Sequence, residues 1–239
     1  MMADPLLRIV DLHVAYGKAE VVHGVNIEVR PAEYIALLGP NGAGKSTILH
    51  AVSNLIGKAS GGVWFGGEDI TRATARDIVR KGLVQVLEGH RVFKTLSVED
   101  NLLLSLHECG IKSTGGLDRI YSLFPELKPL RKRGASQLSG GQQQILAVAQ
   151  GMIVEPKLLM LDEPSLGLAP LVVDRILDAT SQLARDGTAI LLVEQSVEKA
   201  LARCRTAYIL DAGWVVHTAP ASELIGTDVL HKSYLGHRS

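Results

Sequence analysis

The sequence predicts an α/β fold with a mostly parallel central sheet. Aromatic residues make up only 4% of the 239 residues, whereas Val, Leu, Ile and Ala are abundant. This composition is typical of strands that are buried on both faces under helices. Short apolar runs, most of them separated by helical patterns, predict strands at residues 34–38, 83–87, 158–161, 189–193 and 207–210. Two runs joined by short turns, 25–29 and 63–65, predict an antiparallel flank in the N-terminal part.

Helical spacing of apolar residues predicts two long helices in the second half. Ser139 and Gln142 have the spacing of a capping box, which predicts that a helix begins near Ser139. A second apolar stripe follows Pro170 and ends near Gly187. From about Thr95 to Gln137 strand signals are absent and the pattern is helical and polar, which indicates a helical insertion in the α/β domain.

Charge and composition exclude several classes of protein. Lys and Arg number 25, as do Asp and Glu, so the chain lacks the basic excess expected of a nucleic-acid binder. The two cysteines form no C-x-x-C pair, and no secretion signal is evident, so we expect a cytosolic protein with reduced thiols. No apolar run approaches the roughly 20 residues that span a bilayer. A role at a membrane therefore requires partners.

A phosphate-binding loop follows the predicted strand 34–38. The segment Gly39-Pro40-Asn41-Gly42-Ala43-Gly44-Lys45-Ser46-Thr47 matches G-x-x-x-x-G-K-[ST] and leads into a helical pattern. Glycines allow successive backbone N–H groups to face one anion, and the helix N-terminus adds partial positive charge. Lys45 would reach the β- and γ-phosphates, and the Ser46 hydroxyl would bind Mg²⁺. The strand and helix on either side disfavour the alternative, a Gly-rich turn that matches by chance.

Two acidic residues end the predicted strand 158–161. Asp162 is placed to hold Mg²⁺ through water, and Glu163 to polarise the attacking water as a general base. Paired buried acids are costly without a cation, which argues against a purely structural role. Together with the phosphate loop, they predict a nucleoside triphosphatase that uses Mg²⁺.

The segment Leu138-Ser139-Gly140-Gly141-Gln142 matches the signature of the ATP-binding cassette (ABC) family residue for residue. The resemblance covers almost the whole chain. It implies a single ATP-binding domain over residues 1–239, with a RecA-like P-loop NTPase core from 1–94 and 138–239 and a helical subdomain over about 95–137. It also implies that two such domains pair head to tail, so that Ser139, Gly140, Gly141 and Gln142 of one subunit close on the γ-phosphate held by the other.

The resemblance assigns further positions. Tyr16 falls where the family stacks an aromatic ring on adenine; the alternative is a tyrosine packed beside a turn. Glu88 aligns with the glutamine that senses the γ-phosphate and Mg²⁺, and Gln195 aligns with the switch histidine. Glutamine can hydrogen-bond the γ-phosphate but cannot carry the positive charge of protonated histidine. Residues 165–168 take the place of the D-loop, which touches the opposite subunit.

One branch of the family combines these departures. Glu88, the pair Glu194-Gln195 and the segment from Pro164 to Pro170 resemble the second ATPase subunit of branched-chain amino acid importers and of related amide and urea importers. The C-terminal Ser233-Tyr234-Leu235-Gly236 points the same way. Leu87 stands where that branch usually has proline, which leaves a variant substrate open.

The resemblance therefore implies an ATPase subunit on the inner face of the cell membrane. Its partners would be a second ATP-binding subunit, identical or not, integral membrane permease subunits and, indirectly, an extracytoplasmic binding protein, with no nucleic acid. One alternative is the ATPase of a urea or amide importer. Another is a lipid exporter, which predicts histidine rather than Gln195. A third is a soluble cassette ATPase that acts on DNA or ribosomes, which usually has two cassettes or a long coiled coil.

Overall fold

The computed structural model describes residues 4–225, which form two sheets and the helices around them. The first sheet is antiparallel, with strand order β2-β1-β4-β5. The second has the order β10-β9-β3-β8-β7-β6 and is parallel except for β10, which pairs antiparallel to β9. The strands are β1 Leu7–Tyr16, β2 Ala19–Val29, β3 Tyr34–Leu38, β4 Ser60–Phe65, β5 Glu68–Asp69, β6 Leu83–Val86, β7 Leu158–Asp162, β8 Ala189–Glu194, β9 Thr206–Asp211 and β10 Trp214–Pro220.

Three adjacent strands of the second sheet set the position of the site. All residues of β3, β7 and β8 are buried, as expected for apolar runs covered on both faces. In the parallel register Leu38 pairs with Glu194, and Asp162 pairs with Val193. The carboxyl ends of the three strands therefore meet at one edge, where the phosphate loop also begins. The α/β fold with a mostly parallel sheet and an N-terminal antiparallel flank is confirmed.

The helices pack on the faces of the parallel sheet and, in the middle of the chain, on each other. Both long helices predicted from apolar spacing are confirmed: α5 begins after Ser139 with a capping box, and α6 begins at Pro170. The helices are α1 Lys45–Val52, α2 Ala75–Arg80, α3 Val98–Glu108, α4 Gly116–Leu123, α5 Gly140–Met152, α6 Pro170–Arg185, α7 Val197–Leu201 and α8 Ala221–Leu224, with 3₁₀ turns at Pro125–Leu130 and Ala135–Gln137.

The helical segment between β6 and α5 closes on itself. Backbone bonds from Val98 N to Arg133 O (3.0 Å) and from Ala135 N to Leu96 O (2.9 Å) join its two ends. Its buried side chains, among them Leu102 and Phe124, share one hydrophobic cluster with α5 and the parallel sheet. The division into a core and a helical subdomain at 94/95 and 137/138 stays a prediction, and the joined ends support it.

The structure differs from the sequence expectation at three places. Strands β1 and β10, and the two-residue strand β5, were not predicted. The pairing of β1 with β2 contains register shifts, and Asp11 has φ 48°, so its apolar residues do not alternate regularly. The predicted strand 83–87 ends at Val86, because Leu87 starts the turn that leads to His90, whose φ is 53°. The C-terminal motif 233–236 lies outside the described residues.

Candidate nucleotide-binding and catalytic site

The phosphate loop runs from the end of β3 into α1. Gly42 and Gly44 have φ angles of 80° and 102°, in the left-handed region that glycine adopts without a Cβ penalty. At Gly39 an added Cβ would lie 2.2 Å from the Leu210 carbonyl oxygen, so only glycine allows this approach. Gly213 N donates to Ala43 O at 3.0 Å. The loop is therefore supported by the end of β9 and the turn that follows it.

The Lys45 side chain is held inside the loop. The residue is 4% exposed, and its Nζ donates to Gly39 O at 2.9 Å and to Pro40 O at 3.0 Å. The same Nζ lies 3.1 Å from Glu163 Oε1. An ammonium and a carboxylate therefore meet at the mouth of the loop, where phosphate charge would be bound.

Ser46 and Asp162 meet beside this pair. Ser46 Oγ donates to Asp162 Oδ1 at 2.8 Å, and Asp162 is 1% exposed. Its second oxygen, Oδ2, accepts no hydrogen bond from the described residues and lies 3.8 Å from His50 Nε2. Burial raises the pKa of Asp162, with a smaller rise from the charges of Glu163 and Glu88. A buried carboxylate oxygen without a donor, next to a hydroxyl, is a donor set that suits Mg²⁺.

Glu163 is fixed on both sides. Its φ of 44° is uncommon for a residue with a side chain, and its N–H donates to Val193 O at 3.0 Å. Gln195 Nε2 donates to Glu163 Oε2 at 2.6 Å, while Lys45 approaches the other oxygen. The carboxylate is thus held with one donor at each oxygen, and each oxygen keeps a further lone pair that can accept a proton.

Three predicted residues, in addition to the signature residues described next, lie outside this contact set. Tyr16 is at the end of β1 with 52% of its surface exposed, so its ring is not packed in the core. Glu88 is exposed in the turn after β6, close enough for its charge to act on Asp162. Thr47 continues α1 behind Ser46.

The signature residues lie at the start of α5. Ser139 Oγ accepts from Gln142 N at 3.3 Å, and Gln142 Oε1 accepts from Ser139 N at 3.0 Å. Ser139 and Gly140 are exposed, and a Cβ on Gly140 would meet only the edge of the His90 ring, at 3.9 Å. The positive end of α5 is therefore open to a ligand from outside.

Direct contacts thus bring together five of the predicted residues: Lys45, Ser46, Asp162, Glu163 and Gln195. Sequence reasoning assigned no role to two neighbours. His50 could have been found from its i, i+4 spacing to Ser46 on α1. Glu194 was recognised only as part of a motif, yet it is 2% exposed and binds Ser165. An acid at the end of a wholly apolar strand was the available signal.

Comparison with known proteins identifies relatives that match most of the chain. Residues 22–166 match the family model described as ABC transporter. The chain is 38% identical over 226 residues to the high-affinity branched-chain amino acid transport ATP-binding protein BraG of Pseudomonas aeruginosa, covering 92% of this chain and 95% of that protein. It is 30% identical over 229 residues to the lipopolysaccharide export system ATP-binding protein LptB of Escherichia coli, covering 95% of each.

The fold also has a solved counterpart. A nucleotide-free ATP-binding cassette from an ABC transporter superposes with a TM-score of 0.85, covering 98% of this chain and 100% of that one, at 22% identity. At this identity the likeness concerns the fold. It agrees with the two sheets and the helical segment described above.

Proposed function

Because this chain belongs to the ABC transporter family and is the ATP-binding ATPase subunit of a transporter, we propose that it powers a membrane importer for branched-chain amino acids. The identity to BraG, 38%, exceeds the 30% identity to LptB. Gln195 also stands where the exporter resemblance predicts histidine. These two observations favour the importer over the exporter.

The contact between Gln195 and Glu163 supports the proposed chemistry. Glu163 acts as the general base, taking a proton from the water that attacks the γ-phosphate of ATP. Gln195, 2.6 Å away, orients this carboxylate. Lys45 places a positive charge beside the same carboxylate, where it neutralises the β- and γ-phosphates when ATP is bound.

We propose that Ser46 and Asp162 hold Mg²⁺, with Glu88 close to the same site. Asp162 Oδ2, which accepts no hydrogen bond from residues 4–225, and the Ser46 hydroxyl supply suitable oxygens. Bound Mg²⁺ would neutralise charge on the phosphate oxygens. Glu88 lies exposed on the turn after β6, and its charge acts on Asp162.

A complete site requires a second subunit in this proposal. Ser139, Gly140, Gly141 and Gln142 open an exposed helix N-terminus, which suits the γ-phosphate held by the loop of another copy or of a similar subunit. The phosphate loop, residues 39–47, and the exposed Tyr16 ring would hold the nucleotide from the first subunit. ATP then closes a head-to-tail pair, and hydrolysis reopens it.

The membrane partners are proposed from one face of the helical segment. Among residues 4–225, no helix is both long and apolar enough to cross a membrane. Phe93 is 55% exposed beside a groove lined by Gln85, Leu87 and Gln150. We place the contact with the permease subunits here, next to Val92 and Glu88, on the inner face of the membrane, and expect an extracytoplasmic binding protein to deliver the solute to the permease.

The experiment that tests the solute is uptake in cells that lack this chain. We expect labelled leucine uptake to return with the wild type and not with Glu163→Gln. If only urea or short-amide uptake returned, the transported solute would be urea or an amide, and the proposed ATPase mechanism would stand unchanged. No response from any of these solutes would contradict the importer and favour the exporter or a soluble cassette ATPase.

The same variant tests the base. We expect Glu163→Gln to lower kcat by about 10²–10⁴ while ATP binding persists, because the amide cannot accept the proton. Glu155→Gln is the matched control, since Glu155 also has a left-handed backbone, φ 52°, but an exposed carboxylate. Wild-type turnover in Glu163→Gln would remove Glu163 from the role.

A further inference from the structure

Glu194 is a buried carboxylate next to Gln195, the residue that hydrogen-bonds the proposed base Glu163. It ends β8 and is 2% exposed. Its Oε1 accepts from Ser165 N at 3.1 Å, and its Oε2 accepts from Ser165 Oγ at 2.7 Å and from Gln195 N at 3.2 Å. A buried charge is costly unless donors satisfy it. Here three donors from two different segments do so.

These bonds complete a closed ring. One side of the ring is the chain from Glu163 to Ser165, and the other is the pair Glu194-Gln195. At one end Gln195 Nε2 donates to Glu163 Oε2, and at the other end Ser165 donates to Glu194. Glu163 has φ 44°, a conformation that persists only where its surroundings hold it. The ring supplies that restraint through one oxygen of the Glu163 carboxylate and through the backbone that leads from Glu163 to Ser165.

We propose that Glu194 is a positioning residue for ATP hydrolysis, holding Ser165 and the Gln195 backbone so that the Gln195 amide orients Glu163. The inference rests on the proposed role of Glu163 as the base. Glu194 does not touch the reacting atoms; it acts through Gln195 and through the chain that follows Glu163.

Stability and turnover separate this role from a purely structural one. Burial raises the pKa of Glu194, although its hydrogen bonds oppose the rise, so the ionised form is disfavoured in the fold. Glu194→Gln keeps the shape of the side chain, but its NH2 group must face at least one donor that a carboxylate oxygen accepted from, so the thermal midpoint should fall by a few degrees. A purely structural role predicts this lower midpoint with normal turnover, whereas positioning predicts lower turnover at a temperature where the variant is fully folded.

The test measures kcat and KM for ATP in Glu194→Gln and Ser165→Ala. We expect kcat to fall between about tenfold and a hundredfold, as for a small misplacement of a catalytic group, with KM changed less than about twofold. The Glu33 carboxylate is the matched control. It is also buried and accepts from Arg30 N and Thr206 Oγ1, but it lies before β3, at the end opposite the phosphate loop. Glu33→Gln and Thr206→Ala should keep wild-type kcat.

A double-mutant cycle then tests the route of action. If Glu194 acts through Gln195, then Glu194→Gln lowers kcat little further in a Gln195→Ala background. Fully multiplicative losses, or wild-type kcat in both Glu194→Gln and Ser165→Ala, would overturn the inference. If Glu194→Gln does not fold, Ser165→Ala decides by itself. Failure of the base proposal is distinct, since it would appear as turnover in Glu163→Gln.

Discussion

Single residues at the centre of the site carry charge despite deep burial. Lys45, Asp162 and Glu194 are each no more than 4% exposed. Charged side chains are seldom buried to this extent unless they are paired or functional. Burying these groups costs stability, which their proposed role in ATP hydrolysis would explain, and that cost is measurable.

Asp162 gives the first prediction at this scale. Because burial raises its pKa, the folded state disfavours the carboxylate, and stability falls as the pH rises through that pKa. Asp162→Asn keeps an oxygen for Ser46 and removes the charge. We therefore expect the variant, without nucleotide or metal, to melt a few degrees above wild type at neutral pH. The difference should shrink as the pH falls and be lost below about 3.9, the ordinary pKa of an unfolded aspartate, because protonation removes the charge from the wild type as well.

Thermal unfolding at the two pH values measures this difference. Asp118→Asn is a suitable control, because Asp118 is an exposed carboxylate in the first turn of α4 and should change the midpoint little. The same Asp162→Asn protein should lose the stabilisation that Mg²⁺-ATP gives to wild type. A lower midpoint for Asp162→Asn at neutral pH would contradict the cost assigned to burying this carboxylate.

Motifs predicted the residue types of the site better than their contacts. The spacing of residues in the segment from Gly39 to Thr47 predicts a phosphate-binding loop, and the pair Asp162-Glu163 at the end of an apolar strand predicts acidic site residues. The bond from Ser165 to Glu194 joins residues 29 positions apart and depends on the register of β7 and β8. Strand packing in the sheet brings these two residues together, so no local sequence pattern predicts their contact.

At the scale of elements, burial on both faces made strands easy to predict. The runs of β3, β7 and β8 are apolar throughout because helices cover them. β10 lies at the sheet edge with alternate residues exposed, and His217 and Thr218 break its apolar pattern. The formation of this half-exposed edge strand depends on its hydrogen bonds to β9, and the local sequence pattern of β10 does not reveal that pairing.

The capped helices α3 and α5 give a prediction with an internal control. Ser139 caps α5 through Gln142 N, and Ser97 caps α3 through Asp100 N. Replacing either serine by alanine should cost about 1 kcal/mol of unfolding free energy. Only Ser139→Ala should also lower ATP turnover, because only α5 presents its N-terminus to the γ-phosphate in the proposed pair.

Denaturant titration and ATPase assays on both variants check this difference. Equal loss of turnover in Ser97→Ala and Ser139→Ala would mean that the signature acts only through the stability of its helix. Normal ATP turnover in Ser139→Ala would instead mean that the backbone N–H groups of α5, and not the Ser139 hydroxyl, bind the γ-phosphate.

At the scale of the whole molecule, the proposed site is spread over separate surfaces. Lys45, Ser46, Asp162, Glu163 and Gln195 are in contact within one chain, whereas Ser139 and Gly140 lie exposed on α5. The sequence of one chain does not contain the position of a second chain, so the head-to-tail pairing was inferred only from the family resemblance. The physical observation that supports this pairing is the exposed, positively polarised N-terminus of α5.

The final prediction tests this head-to-tail pairing by placing one negative charge at the N-terminus of α5. In Glu163→Gln, ATP should convert the chain to a species of twice its mass, because the nucleotide is bound and not hydrolysed. Adding Gly140→Asp should abolish that dimer, since a carboxylate at the helix N-terminus repels the γ-phosphate. The substitution is tolerated by the fold: Gly140 has no close neighbour at its Cβ position, and acids favour the first helical turn.

Light scattering with and without ATP measures the mass. Ala75→Asp is the matched control, because Ala75 is the first residue of α2 after the capping Thr74, as Gly140 is of α5 after Ser139. Ala75→Asp should dimerise like its parent. If Gly140→Asp also dimerises with ATP, the signature helix does not face phosphate across the pair, and the head-to-tail arrangement is wrong even if ATP binds and Glu163 is the base.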